Sequence, residues 1–107
     1  MMKRIFTLSI AFLLCSLLKA QTSTQPAGDG SEEDPYQIAT LENLYWLSKN
    51  TSPWNMNYFY VQTADIDASP TATWSDEVAF TPIGSGTLPF SGTYQGKGHI
   101  ISGLTIN

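Results

Sequence analysis

Residues 90–107, FSGTYQGKGHIISGLTIN, allow the chain few arrangements. At their centre, Tyr94-Gln95-Gly96-Lys97-Gly98-His99 sets two glycines around one lysine, which predicts a tight corner. Before the corner, Phe90, Gly92 and Tyr94 fall on one face at strand spacing, and after it Ile101, Leu104 and Ile106 supply the apolar positions. A strand, a corner and another strand predict either a hairpin or one winding of a repeating coil. In the coil, residues 99–107 pair parallel with an earlier strand and turn Ile101, Leu104 and Ile106 inward. His99, at the corner, then hydrogen-bonds a neighbouring coil.

The N-terminus belongs to no fold. Lys3 and Arg4 precede an apolar run from Ile5 to Leu18, and Ala20 before Gln21 is a small residue suited to cleavage. Residues 1–20 therefore read as a secretory signal peptide. The run is shorter than the roughly 20 apolar residues a membrane span needs. Leu14 is bulkier than the residue that precedes a lipidated cysteine, so Cys15 reads as apolar filler removed with the signal. Beyond residue 20 no cysteine remains to form disulfides, and nine acids face only Lys49 and Lys97, a formal charge of −7. Such a surface repels phosphate backbones and anionic membranes, which excludes nucleic-acid binding.

Residues 21–27 are polar, contain Pro26, and read as a flexible lead-in to a single module at 28–107. In Gly28-Asp29-Gly30-Ser31-Glu32-Glu33-Asp34-Pro35, glycines and proline predict turns. Four acids there raise the question of calcium, but the run lacks the alternating ligands and closing Glu of an EF-hand loop, so a solvated turn is expected. Tyr36-Gln37-Ile38 is a short strand candidate. Thr40 suits a helix N-cap, Glu42 suits the first turn, and Leu41, Leu44, Tyr45, Leu47 and Ser48 share one face of a helix running to about Lys49. Trp46 points the other way and calls for a second layer to cover it, such as the segment after the helix. Aromatic and β-branched residues at 58–63 give the clearest strand, continuing into Asp65-Ile66-Asp67, where Ile66 faces opposite to both carboxylates. Residues 68–79 read as a long polar loop, and 80–83 as a further strand stopped by Gly84.

The candidate chemistry is thin. His99 is the chain's one histidine, and Gly84-Ser85-Gly86 is not a nucleophile elbow. Asp65 and Asp67 lie about 7 Å apart on one strand face, a separation paired carboxylates use on glycosidic bonds. One strand makes no cleft, however, and no arginine follows the signal to hold a sugar acid. Solvated charges that cap the turn at Ala68-Ser69 are the expectation, with no catalytic residue and no cofactor. Trp46, Trp54 and Trp74, with Tyr58 and Tyr60, offer flat faces for a sugar or, on the simpler reading, cover a core that lacks disulfides.

Four stretches taken together resemble a known family. PFSGTYQGKGHIISGLTIN resembles Phe-x-Gly-x-Tyr/Phe-x-Gly-x-Gly-His-x-Ile-x-x-Leu-x-Ile, a pattern found in large bacterial surface proteins with GLUG-type repeats. Upstream, GDGSEEDPYQIATLENLYWLS, TADIDAS and FTPIG resemble, in order, the segments that precede it. The resemblance implies a mainly β fold, the start of a right-handed parallel β-helix (β-solenoid) capped by one short α-helix. It further implies an adhesin-like protein that is secreted or displayed on the cell surface and lacks defined catalytic residues. Family members continue through many more coils, so the chain is expected to be the N-terminal part of a longer protein. The expected partner is an extracellular glycan or protein, with self-association through the C-terminal strand edge. The alternative is a carbohydrate-binding or polysaccharide-cleaving β-helix protein whose active part lies beyond residue 107.

Overall fold

The computed structural model describes residues 22–106; the expected signal peptide lies outside them. Five short strands and one helix follow in the order β1 (Tyr36–Ile38), α1 (Leu41–Lys49), β2 (Phe59–Gln62), β3 (Ile66–Asp67), β4 (Thr93–Gln95) and β5 (Ile101–Ser102). They form a three-stranded sheet ordered β1-β2-β4 and a two-stranded sheet of β3 and β5. All these strand pairs are parallel.

The corner at 96–99 is not a hairpin. β4 joins β2 and β5 joins β3, so the strands on either side of the corner enter different sheets. Lys97 (φ 55°) and Gly98 (φ 81°) both have positive φ, and His99 N–H donates to Gly96 C=O at 3.0 Å. That closes a tight turn whose second central position suits glycine.

Register explains the core. Tyr36, Tyr60 and Tyr94 occupy equivalent positions on adjacent strands. Their rings form a ladder with centroids 5.5 Å and 6.4 Å apart, the second pair stacked. The period of two along a strand then sends Ile38 and Gln62 inward as well, and both are buried. Gln62 is a polar residue at a core position and meets its hydrogen-bonding needs there. Its Nε2 donates to Ala64 C=O (3.0 Å) and Ile100 C=O (3.3 Å), and its Oε1 accepts from Tyr94 Oη (2.9 Å). Burial pushes the Tyr94 phenol up to about 12.

The helix begins where its sequence expects. Thr40 is extended, and its hydroxyl accepts from Asn43 N–H at 3.2 Å. Leu41, Leu44, Tyr45, Leu47 and Ser48 are all buried, the face expected from spacing. Trp54 Nε1–H donates to Leu47 C=O (2.8 Å), and Tyr45 Oη–H donates to Val78 C=O (2.9 Å), tying the helix to two later segments. Trp46 is half-buried and packs against Tyr36 of the preceding strand, at 5.4 Å.

Four expectations need correction. Residues 22–27 are bound to the fold: Thr24 N–H donates to Glu42 C=O and Gln37 N–H to Ala27 C=O, and Pro26 is buried. Residues 80–83 form no strand. Pro82 lacks an N–H for a ladder, and side chains fix the segment instead, Phe80 beside Tyr45 at 6.3 Å and Thr81 Oγ1–H donating to Ser48 C=O at 3.3 Å. The loop at 68–79 contains 3₁₀ turns at Ser69–Thr73 and Asp76–Val78 and buries Thr71, Trp74 and Ala79. Finally, β5 ends at Ser102 and Ile101 is half-buried, but Leu104 (36% exposed) and Ile106 (48%) do not turn inward. They lie past the β3 pairing, where Thr105 N–H is held by Thr71 Oγ1 at 2.8 Å.

Candidate functional site

At the corner after β4 the fold brings together two exposed polar side chains from distant sequence, Asp65 and His99. Asp65 Oδ1 accepts from Ile100 N–H at 3.0 Å and lies 3.1 Å from His99 Nδ1, a contact across 34 residues. His99 thus contacts the residue just before β3, a structural contact of the kind its corner position suggested. Asp65 is a correction: its side chain is 70% exposed, but it is no idle edge charge, because it latches the 96–100 corner to the start of β3. The Ile100 amide first, and His99 second, hold its carboxyl below the ordinary 3.8.

Asp67 lies on the same exposed face and does what its position predicted. Its Oδ1 accepts from Ser69 N–H at 3.0 Å and caps the turn, and that bond likewise lowers its pKa. A glycosidase acid needs a carboxyl whose pKa is raised. Both aspartates are shifted the other way, because each carboxylate accepts a backbone hydrogen bond.

The latch has a pH signature. A carboxyl whose folded pKa is depressed contributes stability above its unfolded value of 3.8 and loses it as pH falls through the folded value. Asp65→Ala is expected to lower the melting temperature modestly at pH 7 and to leave a shallower acid limb below about pH 4 than the wild type shows. Thermal melts of both proteins from pH 2 to pH 7 check this; identical limbs would mean the latch adds nothing.

The three tryptophans do not converge. Trp54 (6% exposed) and Trp74 (5%) are core residues. Trp54 spends its indole N–H on Leu47 C=O, and Trp74 packs edge-on against Tyr45 at 4.8 Å. Trp46 keeps part of its surface, as does Tyr58, and both rings flank Tyr36, with Tyr58 stacked on it at 6.0 Å. Trp46 is tilted 58° from Tyr36, so these rings make no common plane.

The acidic turn is closed by its own groups. Asp29 and Gly30 N–H both donate to Asp34 C=O at 3.0 Å, Ser31 N–H donates to Asp29 Oδ1 at 2.9 Å, and Asp34 N–H donates to Ser31 Oγ at 3.1 Å. Gly28 (φ 99°) brings backbone against backbone, since a Cβ there would sit 2.2 Å from Pro35 O. The turn thereby presents its acids to solvent. Among the described residues, no group of three or more His, Cys, Asp or Glu side chains is placed to hold a metal ion.

Among the described residues, two shallow clefts stand out. One, about 480 Å³, lies between the 22–24 segment and the helix start, beside Thr40, Glu42 and Asn43. The other, about 410 Å³, runs between Ser52–Trp54 and Leu88-Pro89. Neither contains a convergent set of titratable groups. Among the described residues no helix is long and apolar enough to cross a membrane. No protein-family model and no solved structure matches the chain, so the GLUG-type resemblance rests on the residues quoted for it. In an alignment of 86 positions that covers 76% of its length, the chain is 40% identical to Halomucin of Haloquadratum walsbyi, and it spans about 1% of that protein's length.

Proposed function

We propose that this chain is the N-terminal module of a secreted or cell-surface, adhesin-like interaction protein and that it carries out no catalysis. The observation that carries this reading is the alignment with Halomucin: most of the chain corresponds to a very small part of a very long protein. A secretory signal read at residues 1–20 and a strongly acidic remainder without cysteine support it. In this reading the parallel pairs β1-β2-β4 and β3-β5 are the first windings of a right-handed parallel β-helix, and α1 covers their beginning. The GLUG-type motif marks the winding at 90–107, and later windings carry the contact with an extracellular glycan or protein.

Export is the first consequence to test. Mass spectrometry of fractionated cells is expected to find the chain outside the cytoplasm, starting at Gln21. An intact Met1 form in the soluble cytoplasm would end this reading. For the interaction itself, deleting the later windings from the natural protein is expected to lower the capture of cells on extracellular protein or glycan coats, while unchanged capture would count against an adhesive role.

A further inference from the structure

The segment at 22–27 ends in Ala27 on the edge of β1 that β2 does not occupy. Ala27 bridges Gln37 in antiparallel sense, with Gln37 N–H donating to Ala27 C=O at 2.8 Å, and Pro26 beside it is buried. One step upstream, Thr24 is fixed twice: its N–H donates to Glu42 C=O (3.2 Å) and its C=O accepts from Asn43 Nδ2 (3.0 Å). Asn43 is buried, and its other amide atom is also committed, Oδ1 accepting from Ala39 N–H at 3.1 Å. One side-chain amide therefore holds the segment with its NH₂ and the approach to the helix with its oxygen. Nothing in the polar composition of residues 21–27 requires this; a buried Asn in the first turn of an amphipathic helix is what gives it away.

An uncovered strand edge offers N–H and C=O groups to another chain, and natural sheets protect such edges. In β1, Gln37 N–H points to the edge away from β2, where Ala27 C=O takes it, so it is the donor an incoming strand would take. We propose that residues 22–27 are an edge guard, latched by Asn43, that keeps a second copy of this chain from adding a strand to β1. Among the described residues, the guard leaves the β4 side as the sheet's remaining edge. The guard stands independently of the adhesion reading, because it needs only the β1 edge and its cover.

Asn43→Asp separates the latch from the helix. The carboxylate keeps an oxygen for Ala39 N–H, and an acid in the first turn suits the helix dipole. It has no hydrogen for Thr24 C=O. In the exported chain, amide exchange followed by NMR is expected to run at least about ten-fold faster at Thr24 and Gln37 in this variant, with the amides from Leu44 to Asn50 no faster than in the wild type. On concentrating the variant, Gln37 should regain protection as larger species appear in sedimentation, whereas wild-type Gln37 is protected at every concentration. Unchanged exchange at Thr24 and Gln37, or equal acceleration along the helix, would overturn the latch. A released Gln37 that stays exposed at high concentration would overturn the guard.

Discussion

Tyr60→Ala is expected to lower the stability of the module by about 3–5 kcal/mol, the range for removing a large aromatic side chain from a packed core. Tyr60 is 1% exposed and sits at the middle rung of the three-stranded sheet. Its ring touches Tyr36, Tyr94 and Phe90, with centroids 5.5, 6.4 and 5.7 Å away, so truncation opens a cavity shared by all three strands. Its hydroxyl donates to Pro53 C=O, which joins β2 to the turn holding Trp54. Burial holds the Tyr60 phenol well above its ordinary value, so the neutral donor persists at any physiological pH. Small domains have only about 5–15 kcal/mol of stability in total, so the loss takes a large share. Tyr60→Phe separates the two contributions: it keeps the ring, leaves Pro53 C=O without this donor, and is expected to cost about 1–3 kcal/mol. Urea unfolding of the three proteins measures both effects. If Tyr60→Ala unfolded at the wild-type midpoint, the tyrosine ladder would not be the core.

The elements that were legible in the sequence are those whose signal is local. Thr40 followed by leucines at helical spacing specifies α1 almost to the residue, and aromatic, β-branched 59–62 specifies β2. Asp65-Ile66-Asp67 placed Ile66 inward by period alone. The glycine-paired corner was legible as a corner. Its consequence, strands entering different sheets, depends on partners 34 and 35 residues upstream and left two alternatives open. Residues 80–83 misled because a short apolar run around a proline resembles a strand, while its bonds are made by side chains to α1. The latch at Asp65 was hidden for the same reason. An aspartate on an exposed strand face looks solvated unless the chain is known to bring the Ile100 amide 3.0 Å away. Gln62 had a readable signal that period two supplies: if Tyr60 points inward, so does Gln62, and a buried glutamine must find partners.

Leu44→Ala is expected to cost about 2–5 kcal/mol, and it tests a different part of the core from the tyrosine ladder. Leu44 is 3% exposed at the centre of the apolar face of α1, between Leu41 and Leu47, which are also buried. That face meets the cluster containing Ile38, Trp54, Ile66, Trp74 and Phe80, which draws on both sheets and on the 3₁₀ segments. A nine-residue helix is too short to persist in water by itself, so packing must hold it in place. Weakening the packing therefore loosens the helix as a unit, together with the Asn43 contact that fixes residues 22–24. Lys49→Ala provides the control on the same helix. Lys49 is exposed, with its ammonium 5.4 Å from the Tyr45 ring, and losing it is expected to cost no more than about 1 kcal/mol. Calorimetric melts are expected to rank wild type and Lys49→Ala close together, with Leu44→Ala far below. If Leu44→Ala melted with Lys49→Ala, α1 would be an appendage. If it fell as expected, the helix would be part of the one core that holds both parallel sheets, and the sheets would not outlast its removal.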